Sequence, residues 1–290
     1  MERNPLLVKL GDGRALAYAD YGDPEGTPVL YFHGAPGSRL DGAGYEPLGR
    51  ELKSMRIRVI APDRPGHGYS TQQRGRRLTN WPHDVVQLAD SLGLERFSVL
   101  GHSSGGKFAL ACGSALAHRV TTIGVLAGVG PPETPRFGEG LGRTARVSMT
   151  LASRRRPLAA AYWSAARLMA RRTPGLFMRQ LEAELSPVDR AVVTDPAVRE
   201  LLLATFRECL RPGAQGVVDE WLIQARPWGF SLAEIRPPVH LWHGDADDLV
   251  PLHHSEHLAR SVPDGELTVL RGHGHLPISV YPEIYARLAT

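Results

Sequence analysis

The chain has 290 residues, of which 42% are hydrophobic and 22% charged, a composition typical of a globular protein with a sizeable core. Its net charge is +4, and no apolar run approaches the length of a membrane span. Cys112 and Cys209 stand in apolar, helix-like contexts without metal-site or redox-pair spacing, so we expect two packed thiols. The N-terminus has no apolar core of signal-peptide length. We therefore expect a cytoplasmic protein that acts on a small molecule, with neither a membrane nor a nucleic-acid partner.

Short apolar runs alternate with helical patterns over the first 130 residues. Strand-like runs occupy residues 6–10, 15–19, 28–32, 57–61, 97–100 and 122–126. Helix-like runs occupy residues 45–54, 84–92 and 107–116. The first two strands flank Gly11 and Gly13 and are expected to pair as a hairpin. Strands that alternate with helices predict a parallel sheet covered by helices on both faces.

The alternation breaks at residue 131 and resumes after residue 235. Residues 131–235 show no such strand-like run, and their prolines divide them into several predicted helices. They hold 15 arginines, no lysine and 11 acids, which we interpret as a solvated helical face, with attraction of anionic substrates as the alternative. Strands at 238–242 and 267–270 and a helix at 281–290 follow. We predict a core of residues 1–130 and 236–290, interrupted by a helical insertion at 131–235.

Ser103 lies in the string Gly-His-Ser-Ser-Gly, between the strand at 97–100 and the helix at 107–116. A serine on so sharp a turn takes a strained backbone conformation that brings the residues two before and two after it together. Gly101 and Gly105 leave the space that this approach requires. The pattern predicts an exposed hydroxyl at the top of a sheet, with a helix N-terminus behind it. Chance occurrence in an ordinary loop is the alternative.

A nucleophilic serine needs a base, and the base needs an acid to orient it. In an open sheet these are expected on loops beyond the carboxyl ends of later strands. The loop at 243–251 offers Asp245, Asp247 and Asp248, and the loop at 272–277 offers His273 and His275. The order serine, acid, histidine agrees with a triad, although several members remain possible at this point.

Five motifs in register resemble the α/β-hydrolase family with a helical cap, over essentially the whole chain. They are residues 33–38, 63–70 and 101–105, then Gly244 to Pro251 with Asp247 at its centre, then Gly272 to His275. The resemblance implies a mostly parallel eight-stranded sheet with helices on both faces, and a cap or lid formed by residues 131–235.

The resemblance also implies roles for single residues. Asp247 would be the acid and His275 the base of Ser103, because they match the family's spacing after the glycines. Backbone amides of Ala35 and Ser104 would form the oxyanion hole, since Pro36 has no N–H to donate. The stretch 127–130 has no carboxylate, which excludes the family variant that carries its acid there.

A pocket under the cap is expected to admit the substrate. We predict that His33, Gly34, His102, Trp163 and Phe177 contribute to it. Further apolar cap residues could line it, although most should pack cap against core: Leu151, Leu168, Met169, Met178 and Phe206. No set of residues has a persuasive metal-ligand pattern, so we predict neither a metal nor another cofactor.

The implied chemistry is hydrolysis of a carboxylic ester or lactone through an acyl-enzyme. Peptidase or amidase activity, carbon–carbon bond hydrolysis and perhydrolysis remain alternatives on the same triad, and Glu182 and Glu184 could assist amine binding in a peptidase. Acyl transfer, cyclisation or non-catalytic binding of a small molecule are alternatives of another kind. Dehalogenase and epoxide hydrolase chemistry is disfavoured, because those relatives carry aspartate where Ser103 stands.

Overall fold

The computed structural model describes residues 5–42 and 46–290. Eight described strands form one sheet: β1 (Leu6–Lys9), β2 (Ala15–Gly22), β3 (Thr27–Phe32), β4 (Ile57–Pro62), β5 (Phe97–His102), β6 (Val120–Leu126), β7 (Val239–Gly244) and β8 (Gly265–Leu270). Each strand expected from the sequence is present, and β1 and β2 pair as the predicted antiparallel hairpin.

The strand order across the sheet is β1-β2-β4-β3-β5-β6-β7-β8. Strand β2 runs antiparallel to both of its neighbours, and β3 to β8 are mutually parallel. Because the carboxyl ends of parallel strands meet at one edge, the loops after β3, β5, β7 and β8 lie together there. The mostly parallel eight-stranded sheet expected from the sequence is confirmed.

Eleven α-helices lie in the described part of the chain: α1 (Glu46–Ser54), α2 (Trp81–Ser91), α3 (Gly106–Ala115), α4 (Arg143–Arg154), α5 (Arg156–Arg172), α6 (Pro174–Glu182), α7 (Pro187–Val193), α8 (Pro196–Cys209), α9 (Gln215–Gln224), α10 (His253–Ser261) and α11 (Tyr281–Leu288). The predicted helices are present. Tyr45, at the start of one of them, lies outside the described residues.

The two faces of the sheet pack against different helices because alternate strand residues point to opposite sides. On β5, Val99 belongs to a buried cluster with residues of α2, α3 and α10. The next residue, Leu100, belongs to a second cluster with residues of α1 and α11. Both faces of the central strands are therefore covered, which explains their continuous apolar runs.

Helices α4 to α9 form the segment between β6 and β7 and have a hydrophobic cluster of their own. Trp163, Phe177, Phe206 and Trp221 are buried in it. Prolines stand in the first turn of α5, α6, α7 and α8, where the missing N–H costs nothing. The proline punctuation of the sequence thus coincides with helix starts. Cys112 and Cys209 are free and buried, as predicted.

Candidate active site

Ser103 stands on the turn between β5 and α3 with φ of +54°, a left-handed conformation that is strained for a residue with a side chain. A Cβ atom at Gly101 would overlap the carbonyl oxygen of Gly105. A Cβ atom at Gly105 would overlap the carbonyl oxygen of Phe32 on the neighbouring strand. Both glycines are therefore required by backbone contacts: Gly101 by the approach within the turn that the sequence predicts, and Gly105 by a contact with β3 that the sequence does not predict.

Asp247 and His275 are joined by a hydrogen bond between Oδ2 and Nδ1 of 2.7 Å. Asp247 lies on the loop after β7, and His275 on the loop after β8. The other oxygen of Asp247 accepts hydrogen bonds from the amides of Leu249 and Val250, at 2.8 and 2.9 Å. Asp245 instead accepts from the amide of Gly272, and Asp248 is exposed.

The two members of this pair shift each other's pKa. Burial alone would lower the pKa of His275, but the charge and hydrogen bond of Asp247 raise it above the ordinary histidine value, and the charge of Asp189 adds to this. Burial alone would raise the pKa of Asp247, but the charge of His275 and hydrogen bonds from His243 and His275 hold it well below its ordinary value. A carboxylate in this position stabilises an imidazolium at His275.

His243 is a supporting residue that the sequence analysis missed. It is fully buried, and its Nε2 lies 3.3 Å from Oδ2 of Asp247 and 2.8 Å from the carbonyl oxygen of Val250. Its Nδ1 lies 2.7 Å from the hydroxyl of Ser255. The imidazole of His243 therefore also holds the carboxylate of Asp247 in place. Its place at the carboxyl end of β7 was the available signal.

Asp189 is a second missed residue, and it reaches the site from the helical segment. It is buried at the start of α7, and its two oxygens accept the amides of His275 and Leu276, at 2.9 and 2.8 Å. A Cβ atom at Gly274 would overlap this carboxylate. The pattern Ser186-x-x-Asp189 marks a helix start in the sequence, but nothing local announces the contact with the histidine loop.

Arg64 holds the loop after β3. It is fully buried, and its guanidinium donates to the carbonyl oxygens of His33 and Gly34, at 2.6 and 2.8 Å. The peptide between Gly34 and Ala35 is planar, so its N–H points away from the carbonyl that Arg64 binds. The amide of Ala35 is thereby oriented by a charged group buried beneath the loop.

A buried ionic cluster connects this loop, the serine turn and α9. Glu220 of α9 lies 3.1 Å from Arg64, 2.9 Å from Arg76 and 3.4 Å from Lys107. Lys107 also donates to the carbonyl oxygen of Ser104 at 2.9 Å. Burial lowers the pKa of Lys107 to about 7, although the negative charge of Glu220 acts to raise it. The cluster ties the helical segment to the turn that carries Ser103.

Ser103 and His275 face a common cavity of about 690 Å³ between the sheet and the helical segment. Ala35, Ser104, Trp163 and Phe177, four of the residues predicted for the site, line this cavity. Among the described residues, the hydroxyl of Ser103 has no hydrogen-bond partner. Other apolar residues of the wall are Leu141, Val147, Met149, Tyr162, Met169, Phe206 and Trp221.

Three residues predicted to contribute to the pocket do not line this cavity. The imidazole of His33 is fully buried and receives the amide of Arg64 at 3.3 Å. His102 lies under the histidine loop, with Nε2 at 2.9 Å from the carbonyl oxygen of His275. Gly34 lies beneath Ala35, close to the Cβ of Ser103. The imidazoles of His33 and His102 are held by hydrogen bonds with neighbouring backbone groups and do not face the cavity.

The apolar residues of the helical segment also divide. Met169 and Phe206 line the cavity, whereas Met178 and Leu151 pack inside the segment. Leu168 is 57% exposed and lines nothing, contrary to expectation, because it stands on the outer side of α5. Glu184 lines the cavity but accepts the amide of Thr144 at 2.9 Å, and Glu182 pairs with Arg199.

Within residues 5–42 and 46–290, no group of three or more histidine, cysteine, aspartate or glutamate side chains is arranged to hold a metal ion. No helix in that part of the chain has the length and apolar character needed to cross a membrane.

Comparison with known proteins gives several matches. A family model described as alpha/beta hydrolase fold matches residues 27–280. The chain is 30% identical over 237 residues to a pimeloyl-acyl-carrier-protein methyl ester esterase of Aromatoleum aromaticum, covering 78% of this chain and 84% of that protein. It is 28% identical over 277 residues to a 2-hydroxymuconate semialdehyde hydrolase of Pseudomonas putida, covering 91% and 86%.

A third relative is longer than this chain. The chain is 29% identical over 274 residues to the dihydrolipoyllysine-residue acetyltransferase component of an acetoin cleaving system of Pseudomonas putida, and the match spans 94% of this chain but 64% of that protein. Among solved structures, the esterase RhEst1 from Rhodococcus sp. ECU1013 superposes with a TM-score of 0.70 at 19% identity, over 99% of both chains.

Proposed function

The chain belongs to the α/β-hydrolase family, and from that premise we propose that it is a serine hydrolase that cleaves carboxylic esters or lactones. The observation that carries the proposal is the shared cavity. Ser103 and His275 both line it, and His275 is bonded to Asp247 at 2.7 Å. These are the three groups that nucleophilic acyl transfer requires.

The proposed reaction has two halves. His275 takes the proton of Ser103 as the serine oxygen attacks the carbonyl carbon, and the amides of Ala35 and Ser104 hold the oxyanion. The proton on His275 then passes to the leaving oxygen, and the alcohol departs. Water, deprotonated by His275, attacks the acyl carbon, and Ser103 recovers its proton as the acid is released. Asp247 remains ionised throughout and stabilises the imidazolium.

The cavity favours an uncharged, largely apolar acyl group. Aromatic and aliphatic side chains make up most of its wall, and Arg143, at the exposed rim, is the one arginine or lysine among its described lining residues. A carboxylate deep in the cavity would have no cation to offset its desolvation. We propose that helices α4 to α9, within residues 131–235, act as the cap that imposes this selection.

The peptidase alternative has less support. An amine-binding site needs carboxylates that face the substrate, and Glu184, although it lines the cavity, already accepts two hydrogen bonds from Thr144. Carbon–carbon bond hydrolysis stays as the second candidate, because a relative 28% identical is a 2-hydroxymuconate semialdehyde hydrolase. Its substrate carries a carboxylate, which in this cavity would have Arg143 alone as a cationic partner.

Turnover of p-nitrophenyl esters tests the proposal. We expect purified protein to hydrolyse them, with kcat/KM rising as the acyl chain lengthens from acetate and fills the apolar wall. 2-Hydroxymuconate semialdehyde is the comparison substrate, and its consumption is measured as a loss of absorbance. If folded protein hydrolyses none of the esters, ester hydrolysis is contradicted. Turnover of 2-hydroxymuconate semialdehyde alone would favour carbon–carbon bond hydrolysis.

Asp189→Asn is expected to change the pH profile of the enzyme. The charge of Asp189 contributes to the raised pKa of His275, so its removal lowers that pKa. His275 must be neutral to accept a proton, so the acid limb of kcat/KM should move to lower pH. Asp195→Asn, which changes the N-cap residue of α8, is the control and should leave the acid limb of kcat/KM at the same pH. An unmoved limb in Asp189→Asn would contradict this role.

A further inference from the structure

The outer part of the helical segment carries an unusually one-sided charge. Residues 141–181, which span α4, α5 and all of α6 except its last residue, Glu182, contain nine arginines and no lysine, aspartate or glutamate. Arg156 pairs with Asp219, and Arg167 donates to the carbonyl oxygen of Arg211. The other seven are exposed and face no carboxylate among the described residues: Arg143, Arg146, Arg154, Arg155, Arg171, Arg172 and Arg179.

An apolar stripe runs along the outer side of α5. Its members are spaced at three and four residues, which places them on one side of a helix, and all are exposed: Leu158, Ala161, Tyr162, Ala165 and Leu168. Leu158 and Leu168 are each 57% exposed. The inner side of the same helix buries Ala159, Trp163 and Ala170. Helix α5 thus has two apolar sides, of which the fold uses one.

Exposed large apolar side chains concentrate on these three helices. The described chain exposes eight, and five of them are on α4, α5 and α6: Val147, Leu158, Tyr162, Leu168 and Leu176. Single exposed leucines are ordinary, but a contiguous apolar surface edged by polar residues indicates an interaction site. We call the surface formed by this stripe and the seven unpaired arginines the roof face.

The cavity opens onto the roof face. Arg143, Val147 and Tyr162 are exposed and also line the cavity that holds Ser103. A residue that meets both conditions stands at the rim. A molecule taken up from a partner on the roof face would therefore enter the cavity that Ser103 lines.

We propose that the roof face docks on an anionic lipid surface, from which apolar esters enter the cavity. Leucine and tyrosine on one side of a helix insert between acyl chains, while flanking arginines bind anionic headgroups. A second copy of this chain fits less well, since a symmetric contact would bring its unpaired arginines together. This proposal departs from the sequence-based expectation of no membrane partner. The substrate class rests on the proposed function, whereas docking does not.

Co-sedimentation with lipid vesicles tests the proposal. The protein should bind vesicles made of equal parts phosphatidylglycerol and phosphatidylcholine, release from them as salt rises, and stay free of pure phosphatidylcholine vesicles. The double variants Leu158→Ser/Leu168→Ser and Arg171→Gln/Arg172→Gln should each lower the vesicle partition coefficient by about tenfold or more. Ser103→Ala should bind as wild type does, so loss of catalysis and loss of docking are read separately.

The controls match each change outside the helical segment. Leu7 is 58% exposed on β1, so Leu7→Ser removes an equally exposed leucine. Arg236→Gln/Arg260→Gln removes two exposed charges outside the helical segment. Neither control should reduce vesicle binding, and Leu158→Ser/Leu168→Ser should keep full turnover of a water-soluble ester.

Three results would overturn the proposal. One is equal binding to both kinds of vesicle or to neither. Another is equal loss of binding in controls and test variants. The third is a dimer, or a complex with an acidic protein, that the leucine substitutions dissociate while vesicles remain unbound.

Discussion

Ser103→Ala is expected to retain the fold and to lose at least about a thousandfold in kcat. The hydroxyl of Ser103 has no hydrogen-bond partner in the described structure, so its removal leaves no buried polar group unsatisfied. The oxyanion amides and the cavity remain, which accounts for any residual rate above water. Steady-state turnover of a p-nitrophenyl ester and a thermal unfolding scan measure the two halves of this expectation.

A serine-directed phosphonate gives an independent readout. It should modify the wild type at Ser103, detected by peptide mass, and leave Ser103→Ala unmodified. Ser104→Ala is the matched control, because it deletes a hydroxyl one residue later but retains the backbone amide that the mechanism uses. Full turnover by Ser103→Ala, or phosphonate labelling of another residue at an equal rate, would contradict the covalent mechanism.

Asp247→Asn is expected to lower kcat by about ten-thousandfold, as removal of the triad carboxylate does where the geometry is otherwise kept. The amide can present its N–H to His275 and stabilise the tautomer whose other nitrogen is already protonated. That nitrogen then cannot accept the proton of Ser103. The lost charge also lowers the pKa of His275, so the residual activity should show an acid limb at lower pH.

Asp245→Asn provides the control on the same loop. Asp245 is exposed and holds the amide of Gly272, whereas Asp247 holds the imidazole of His275. The control should stay within a few-fold of wild type. A comparable loss in both variants would mean that the loop, and not the hydrogen bond to His275, is what the substitutions disturb.

The strands and the serine turn could be predicted from the sequence for local reasons, whereas the choice among crowded candidate residues came from the family resemblance. The strands β3 to β7 are buried on both faces, so they read as apolar runs. Gly101 is required by overlap with Gly105 within the turn, whereas Gly105 is required by the backbone of Phe32 on the neighbouring strand. Asp247 and His275 were selected from their neighbours because they match the motif spacing of the family that the chain resembles, and their 2.7 Å contact agrees with that selection.

The supporting residues could not be found in this way. Asp189 and His275 are 86 residues apart in sequence, and Arg64 and Glu220, which form a salt bridge, are 156 residues apart. No local pattern relates such partners, because the contact exists only once the helical segment lies on the sheet. His33 and His102 were misplaced for a related reason. His102 is next to Ser103 in sequence, and His33 lies in a loop that the family resemblance places near the site, but neither fact says which side of the backbone the ring occupies.

The sequence by itself determined the order of strands and helices, the strained serine turn, and the loops that carry Asp247 and His275. Those properties depend on backbone geometry and side-chain spacing over ten residues or fewer. Only the tertiary structure decided which side of α5 is buried, and therefore that Leu168 faces outward while Trp163 lines the cavity. An amphipathic period identifies a helix, but a helix that is apolar on two sides is oriented only by what packs against it.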